Sequence, residues 1–463
     1  MITVPEPGRS HERAVGGAEA RSPESRARYG RRDHGDHEQG GSMNRIGRTR
    51  RWAAAVAGVT LATAALVACG DGGPSDEKSS GKAAEPSRTT SGKPSRPAFD
   101  PPLRFDGPTV ELSSADQPST TTGGATGPAV RLADGVAYIT AEEGLEAIDT
   151  GTGALRWEVN TKHPAAKGGF GSNRAAPLVS ADGKTVYAAW NRDVKGQGTA
   201  PDRTLIEVLA IETNTGKTAW SAEIAAAPSA TGLGARSIGA DEVLAPQIIG
   251  VDAGTAVVTA ADTTYAVEPS AGTVRWKKHG FRAVTLADGV VAGGEETGRL
   301  DGRLLGLAAA TGEQRWTLED ALRPAAAAPR LLSATVKDKT LLVDAVSGEQ
   351  RVALDGGGWR CRYDAQTLVL CSRGEGYALS PRWITVFDAS SLQKRWALPD
   401  GSGRKVPVVM GFWHGAVYAN VGSEAIVLDG ATGQDRQTSA GAAPDEIDRY
   451  GGLAGSKFHP AAG

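Results

Sequence analysis

The sequence predicts an all-β protein: a β-propeller of seven four-stranded antiparallel blades, or eight if one copy of its repeat has decayed. Two observations predict it. A hairpin motif recurs seven times between residues 147 and 437. A second turn, Asp-Gly between two alternating apolar runs, recurs between those copies, and no helical pattern of useful length interrupts them.

The elements follow in chain order. The chain has 463 residues, 40% of them hydrophobic and 22% charged, with a net charge of −2. That length is enough for one large domain or two ordinary ones. The balanced charge, with no dense Lys/Arg patch interleaved with aromatics, excludes a nucleic-acid partner. Residues 1–42 are polar, rich in Arg, Glu, Gly and His, and without apolar periodicity; they read as a disordered extension or an over-extended reading frame before Met43. From Met43 the text changes. "MNRIGRTRRW" is basic and "WAAAVAGVTLATAALVA" (52–68) is uncharged. A basic segment followed by a short apolar one is a secretory signal, here residues 43–68, and the apolar stretch is short for a membrane span.

That signal ends in "LVACG", where Leu66, Val67 and Ala68 precede Cys69. The run resembles the lipobox of bacterial lipoproteins. The resemblance implies that Cys69 carries diacylglyceryl, becomes the first mature residue and holds the protein on the extracytoplasmic face of the cell membrane. Two acyl chains anchor stably where one is marginal. Residues 69–108 are Gly, Pro, Ser, Lys and Glu with almost nothing to bury, and read as a disordered tether.

The propeller is expected over 109–450, with 451–463 as a disordered tail. Its motif reads "AIDTGTGALRW" (Gly153, Trp157), "AIETNTGKTAW" (Gly216, Trp220), "AVEPSAGTVRW" (Gly272, Trp276) and "GLAAATGEQRW" (Gly312, Trp316). Three degenerate copies follow: "LVDAVSGEQRV" with Val352 in the Trp place, "VFDASSLQKRW" with Leu392 in the Gly place and Trp396 kept, and "VLDGATGQDRQ" ending in Gln437. The interposed turns lie at Asp134-Gly135, Asp182-Gly183 and Asp288-Gly289. Asp-Gly between alternating runs is a strong hairpin signal, because Gly takes positive φ without a Cβ clash. Each unit thus reads as four antiparallel strands, and units at a fixed order along the chain are the signature of a ring. An eighth copy, if present, is expected inside the long intervals 157–220 or 220–276.

The motif resembles the repeat of the PQQ-like, or quinoprotein, family, which includes pyrroloquinoline-quinone dehydrogenases and a non-enzymatic, BamB-like branch. The resemblance covers 109–450. It implies that the Trp lies on the outer strand and packs into the seam with the next blade, where truncation of a buried Trp costs about 3–5 kcal/mol. It also implies what an enzyme of the family would carry: an adjacent Cys-Cys pair, a calcium site of Glu, Asn and Asp, and a catalytic Asp. No Cys-Cys occurs here, and no residue matches a catalytic position.

Other chemistry is equally absent from the text. His163, His279, His414 and His459 make no HxH or HExxH pair, and neither GxSxG nor a P-loop occurs. Cys361 and Cys371, in "WRCRYDAQTLVLCS", are the only cysteines after Cys69. A hairpin turning near Asp364 to Thr367 sets them opposite each other, close enough for a disulfide that stabilises by about 2–4 kcal/mol. The longest departures from blade length are 158–175, 192–203 and 221–247, where partner contacts or simply tolerated loops are expected.

The expected function is a non-catalytic binding or scaffold module for an unknown protein or envelope ligand, with no cofactor and no metal. The alternatives are a quinone-dependent oxidoreductase and an extracellular sensor domain partnering a membrane kinase. The Ala-, Gly- and Arg-rich text points to a high-GC bacterium, so an outer-membrane role is not carried over from the BamB-like branch.

Overall fold

The ring closes with eight blades, and the eighth is built from both ends of the chain. In the computed structural model, residues 96–112, 118–120, 126–166, 174–226, 245–252, 254–296, 301–374 and 381–463 are described. Cys69, the signal and most of the tether lie outside them. The described residues contain no helix, hence none long and apolar enough to cross a membrane.

Seven four-stranded sheets follow one another at residues 130–160, 178–225, 247–279, 281–319, 321–355, 360–398 and 408–437. Every neighbouring pair of strands in them is antiparallel. The eighth sheet takes Glu446–Asp448, Gly451–Ala454 and Lys457–Pro460 from the C-terminus and Val110–Glu111 from the N-terminal side, with Val110 opposite Phe458 and Glu111 opposite Lys457. The first strand of each sheet meets the first strand of the next all the way round, and Glu446–Asp448 meets Val130–Ala133, so first strands line the axis and fourth strands form the rim.

Three expectations are corrected here. The eighth blade does not hide in the long intervals before Trp220 or Trp276. Residues 451–463 are not a tail: Leu453 and Phe458 are fully buried in the last seam. The tether does not run to 108, because the segment from Arg96 straps onto blades 7, 8 and 1. Phe99 N donates to Arg449 O (2.7 Å), Tyr418 Oη donates to Pro102 O (2.9 Å), and Phe105 packs edge-on against Tyr418 at 5.7 Å.

The core is a set of seams rather than a central mass. Eight apolar clusters are found among the described residues, one between each pair of adjacent blades. Second strands are therefore covered on both faces. Val136–Thr140 and Thr255–Ala260 are buried at every position and read as continuous apolar or Thr-containing runs, as strands with two covered faces do. Rim strands such as Gln314–Glu319 alternate instead.

The motif explains both its turn and its seam. Asp149 Oδ1 accepts from Gly151 N (2.9 Å) and Thr152 N (3.1 Å), and Gly153 takes φ +70° to close the turn. A one-residue bulge follows in all seven copies, immediately before the Trp position. It turns the Trp toward the next blade. Trp157, Trp276, Trp316 and Trp396 donate their indole N–H to turn carbonyls of the following blade, at Thr213, Ala309, Ala345 and Gly430. Each ring also lies flat over the next turn glycine: a Cβ on Gly216, Gly312, Gly348 or Gly433 would sit 2.7–2.9 Å from it.

The degenerate copies obey the same rule. Val352 replaces a Trp, and the turn it faces has Leu392 in place of glycine, at φ +56° and buried against Val352. Small and large exchange across the seam together. At ring closure Val110 takes the Trp role, with its Cγ1 3.0 Å from a Cβ on Gly153. Trp220 packs against the blade 2–3 seam as well, but does not cover the next turn glycine: Gly272 is covered by Ser221 O, and Trp220 lies on Tyr187 of its own blade at 6.2 Å.

Candidate functional site

Strand alternation gives the ring two unlike faces. Turns between first and second strands and between third and fourth strands share one face, as the bond from Thr150 N to Gly135 O (3.0 Å) shows. Connections between second and third strands, and from blade to blade, share the other. We call these the turn face and the loop face. All three long segments picked out from sequence, 158–175, 192–203 and 221–247, fall on the loop face, although only parts of the first and third are described.

The turn face is tight and stapled. Asp134-Gly135 and Asp288-Gly289 both take positive φ at both residues, the backbone of a two-residue hairpin turn. Asp364 is fully buried in the blade 6 turn; its carboxylate accepts from Gln366, Thr367 and Leu368 N (2.8–2.9 Å) and, across the seam, from Gly415 N (3.1 Å). Asp448 does the same from blade 8 to Gly135 N (2.7 Å). A cavity of about 300 Å3 opens at the channel end on this face, lined by Trp413, Asp182 and Arg449 among others. Trp413 stacks on His414 at 3.6 Å, and His414 Nδ1 pairs with Asp100 of the N-terminal strap. The strap thus meets the turn face at Arg96 to Asp100, and further on bonds through Phe105 and Leu112 to Ala440 and Ser456 in loop-face connections of blades 7 and 8.

The loop face gathers arginines at the channel. Inner strands start there, and several carry arginine within their first three residues: Arg131 in blade 1, Arg282 in blade 4, Arg323 in blade 5, and Arg360 and Arg362 in blade 6. Blade 8 answers with Asp445 and Glu446. Arg131 Nη1 bonds both oxygens of Glu446 (3.1 and 3.2 Å), and Arg362 donates to Met410 O while facing Asp445 and Glu446 across the channel. These groups are open to channel water yet ringed by protein. Burial pushes the Arg362 guanidinium below its ordinary range, against the pull of Asp445 and Glu446. Burial likewise pushes the carboxyls of Asp445 and Glu446 up. Asp445 Oδ1 is buried with no hydrogen-bond partner.

Blade 6 extends this mouth outward. Arg373 lies over the rings of Trp383 (4.1 Å) and Trp359 (5.6 Å), and its Nη1 donates to Asp355 O (3.0 Å). Neither tryptophan belongs to the repeat. Trp359 leads directly into the short inner strand Arg360–Tyr363, whose residues are all exposed or half-buried. The strand is clamped by the Cys361–Cys371 disulfide, with the two cysteines directly opposite in register as expected.

The residues expected from sequence therefore sort cleanly. The repeat glycines and tryptophans hold seams and lie away from the channel mouth. Cys361 and Cys371 sit beside the mouth. Cys69 lies outside the described residues. Missed were the channel arginines, Glu446 and the Trp359–Arg373–Trp383 stack. Also missed was the residue before the Trp: Arg156, Arg275 and Arg395 pair with the acid that opens their own turn, Asp149 (2.5 Å), Glu268 (3.2 Å) and Asp388 (2.8 Å). Hydrogen bonds from Ser390 and Ser391, with Arg395, hold the Asp388 carboxyl far below the usual carboxylate range.

No group of three or more His, Cys, Asp or Glu able to hold a metal ion occurs among the described residues. The model of the family described as outer membrane protein assembly factor BamB matches residues 117–233 and 206–360, together more than half of the chain. No curated protein matches the sequence. Among solved structures, BamB from Moraxella catarrhalis is 16% identical, with 70% of this chain and 96% of that one covered and a TM-score of 0.38. The β-propeller domain of Cps50 (Swd1) from Myceliophteria thermophila is 11% identical, covers 70% and 97%, and has the same score.

Proposed function

The chain belongs to the family of the outer membrane protein assembly factor BamB, and we propose that it is a lipid-anchored, extracytoplasmic, non-catalytic binding module. Its ligand is a protein or envelope component held on the loop face. The observation that carries this reading is the division of labour between the two faces. Long connections, channel arginines, Trp359 and Trp383 gather on one face, while the strap first meets the ring, through Arg96 to Asp100, on the other. The described chain begins at Arg96 on the turn face, which leaves the channel mouth of the loop face uncovered. Insertions on a rigid scaffold are where recognition concentrates.

Two measurements test it. Cells labelled with a palmitate analogue should show the full-length chain labelled, and Cys69→Ser should lose the label and release the protein from the membrane; unchanged labelling contradicts the anchor. Purified protein given pyrroloquinoline quinone and Ca2+ should show neither stoichiometric binding nor dye-linked dehydrogenase activity. Both together would make it an oxidoreductase instead.

A further inference from the structure

We propose that the channel mouth at blade 6, on the loop face, binds an acidic, extended peptide segment of a protein partner. This deepens the binding-module reading of the same face and rests on it.

The first argument is charge. From Cys69 onward the chain is net acidic, with 40 basic against 46 acidic side chains. Against that background Arg131, Arg360 and Arg362 converge on one opening. The protein already places a carboxylate among them, since Glu446 is bonded by Arg131 and faced by Arg362. Guanidinium groups bond carboxylates strongly and with defined geometry. Glu446 shows what ligand chemistry the cluster is shaped for.

The second argument is spacing. Arg360 and Arg362 are two residues apart on a strand, hence about 6.6 Å apart on one face. Alternate side chains of an extended peptide repeat at the same distance. Single negative charges at that interval match the two arginines. A phosphate chain brings a denser charge against Asp445 and Glu446, which stand in the same mouth, and is the poorer fit.

The third argument is rigidity. Inner strands of six other blades contain buried side chains, but Arg360–Tyr363 is short and has none. The disulfide fixes it to the fully buried Cys371. It holds the residue between the two arginines, so the pair is presented in one geometry before the ligand arrives, which lowers the entropy cost of binding. Trp359 and Trp383, spread on either side of Arg373, supply flat apolar area next to the charges, the residue types that dominate interface energetics.

The test uses the full chain in detergent and hexaglutamate as the probe, read by tryptophan fluorescence and calorimetry, with thermal melts confirming that each variant folds. Hexaglutamate should bind, hexalysine should not, and affinity should fall as salt rises. Arg360→Gln should weaken binding at least tenfold. Glu446→Gln, which removes the built-in competitor, should tighten it several-fold, a gain that damage to the fold cannot imitate. Unchanged affinity in folded Arg360→Gln, or weaker binding in Glu446→Gln, would overturn the proposal. So would polyphosphate binding with the same arginine dependence while hexaglutamate does not bind. A partner that binds the loop face without regard to Arg360 would sink this inference and leave the module reading intact.

Discussion

A chain ending at Tyr450 should lose its cooperative melt altogether. It lacks Gly451–Ala454 and Lys457–Pro460, so Val110–Glu111 has no strand to pair with and blade 8 is reduced to one strand. Leu453 and Phe458, both fully buried, go with them, and Leu112, Val130 and Ile139 lose their cover. Burying one such side chain contributes about 1.5–3 kcal/mol, so the loss approaches the roughly 5–15 kcal/mol that separates folded from unfolded domains. It also leaves blades 1 and 7 with bare faces. If residues 451–463 were a tail, the truncated chain would melt like the intact one. Calorimetry of the two chains decides between these outcomes.

Trp316→Ala should be the most damaging single substitution within the repeat, costing about 3–5 kcal/mol. The indole lies on Gly348 and donates to Ala345 O at 3.2 Å, so truncation opens a void over the turn and leaves that carbonyl without its donor. Val352→Ala, at the corresponding place one blade on, should cost well under half as much, because Leu392 fills that seam from the other side. Urea unfolding of both variants gives the comparison. Equal losses would mean that the seam is not organised around the Trp and glycine pair.

Most of the architecture was legible because the motif performs one task in every copy. In most copies an acid and a Gly make the turn and a Trp follows, and the degenerate copies keep enough of the pattern to announce a third and fourth strand joined by a hairpin. Blade 8 escaped for the same reason. Its third strand ends the chain and its fourth, Val110–Glu111, lies near the start, so no hairpin joins them and no motif exists to be read. The long intervals looked like places for a missing blade. They hold instead the ten-residue strands Thr185–Val194 and Arg203–Glu212 and the loop-face connections.

The site was less legible. "WRCRY" was read for its cysteine alone, although alternation along a strand places Arg360 and Arg362 together on the opposite side from Cys361. What the strand could not reveal is its neighbours across the channel. Glu446 approaches Arg131 and Arg362 only because eight inner strands close on one axis, and no local pattern encodes that meeting. Trp359 and Trp383 stood outside the repeat register, which was the available signal that they serve something other than a seam.

The central claim is that the loop face is the binding face. It is tested most directly by placing a photo-crosslinking amino acid at single positions of the full-length protein in intact cells. Gln197 and Trp359 stand on the loop face, and Lys217 stands in a turn of the opposite face. Irradiation should give the same partner adduct from the Gln197 or Trp359 position and none from Lys217. An adduct that forms from Lys217 and from neither loop-face position would contradict the account.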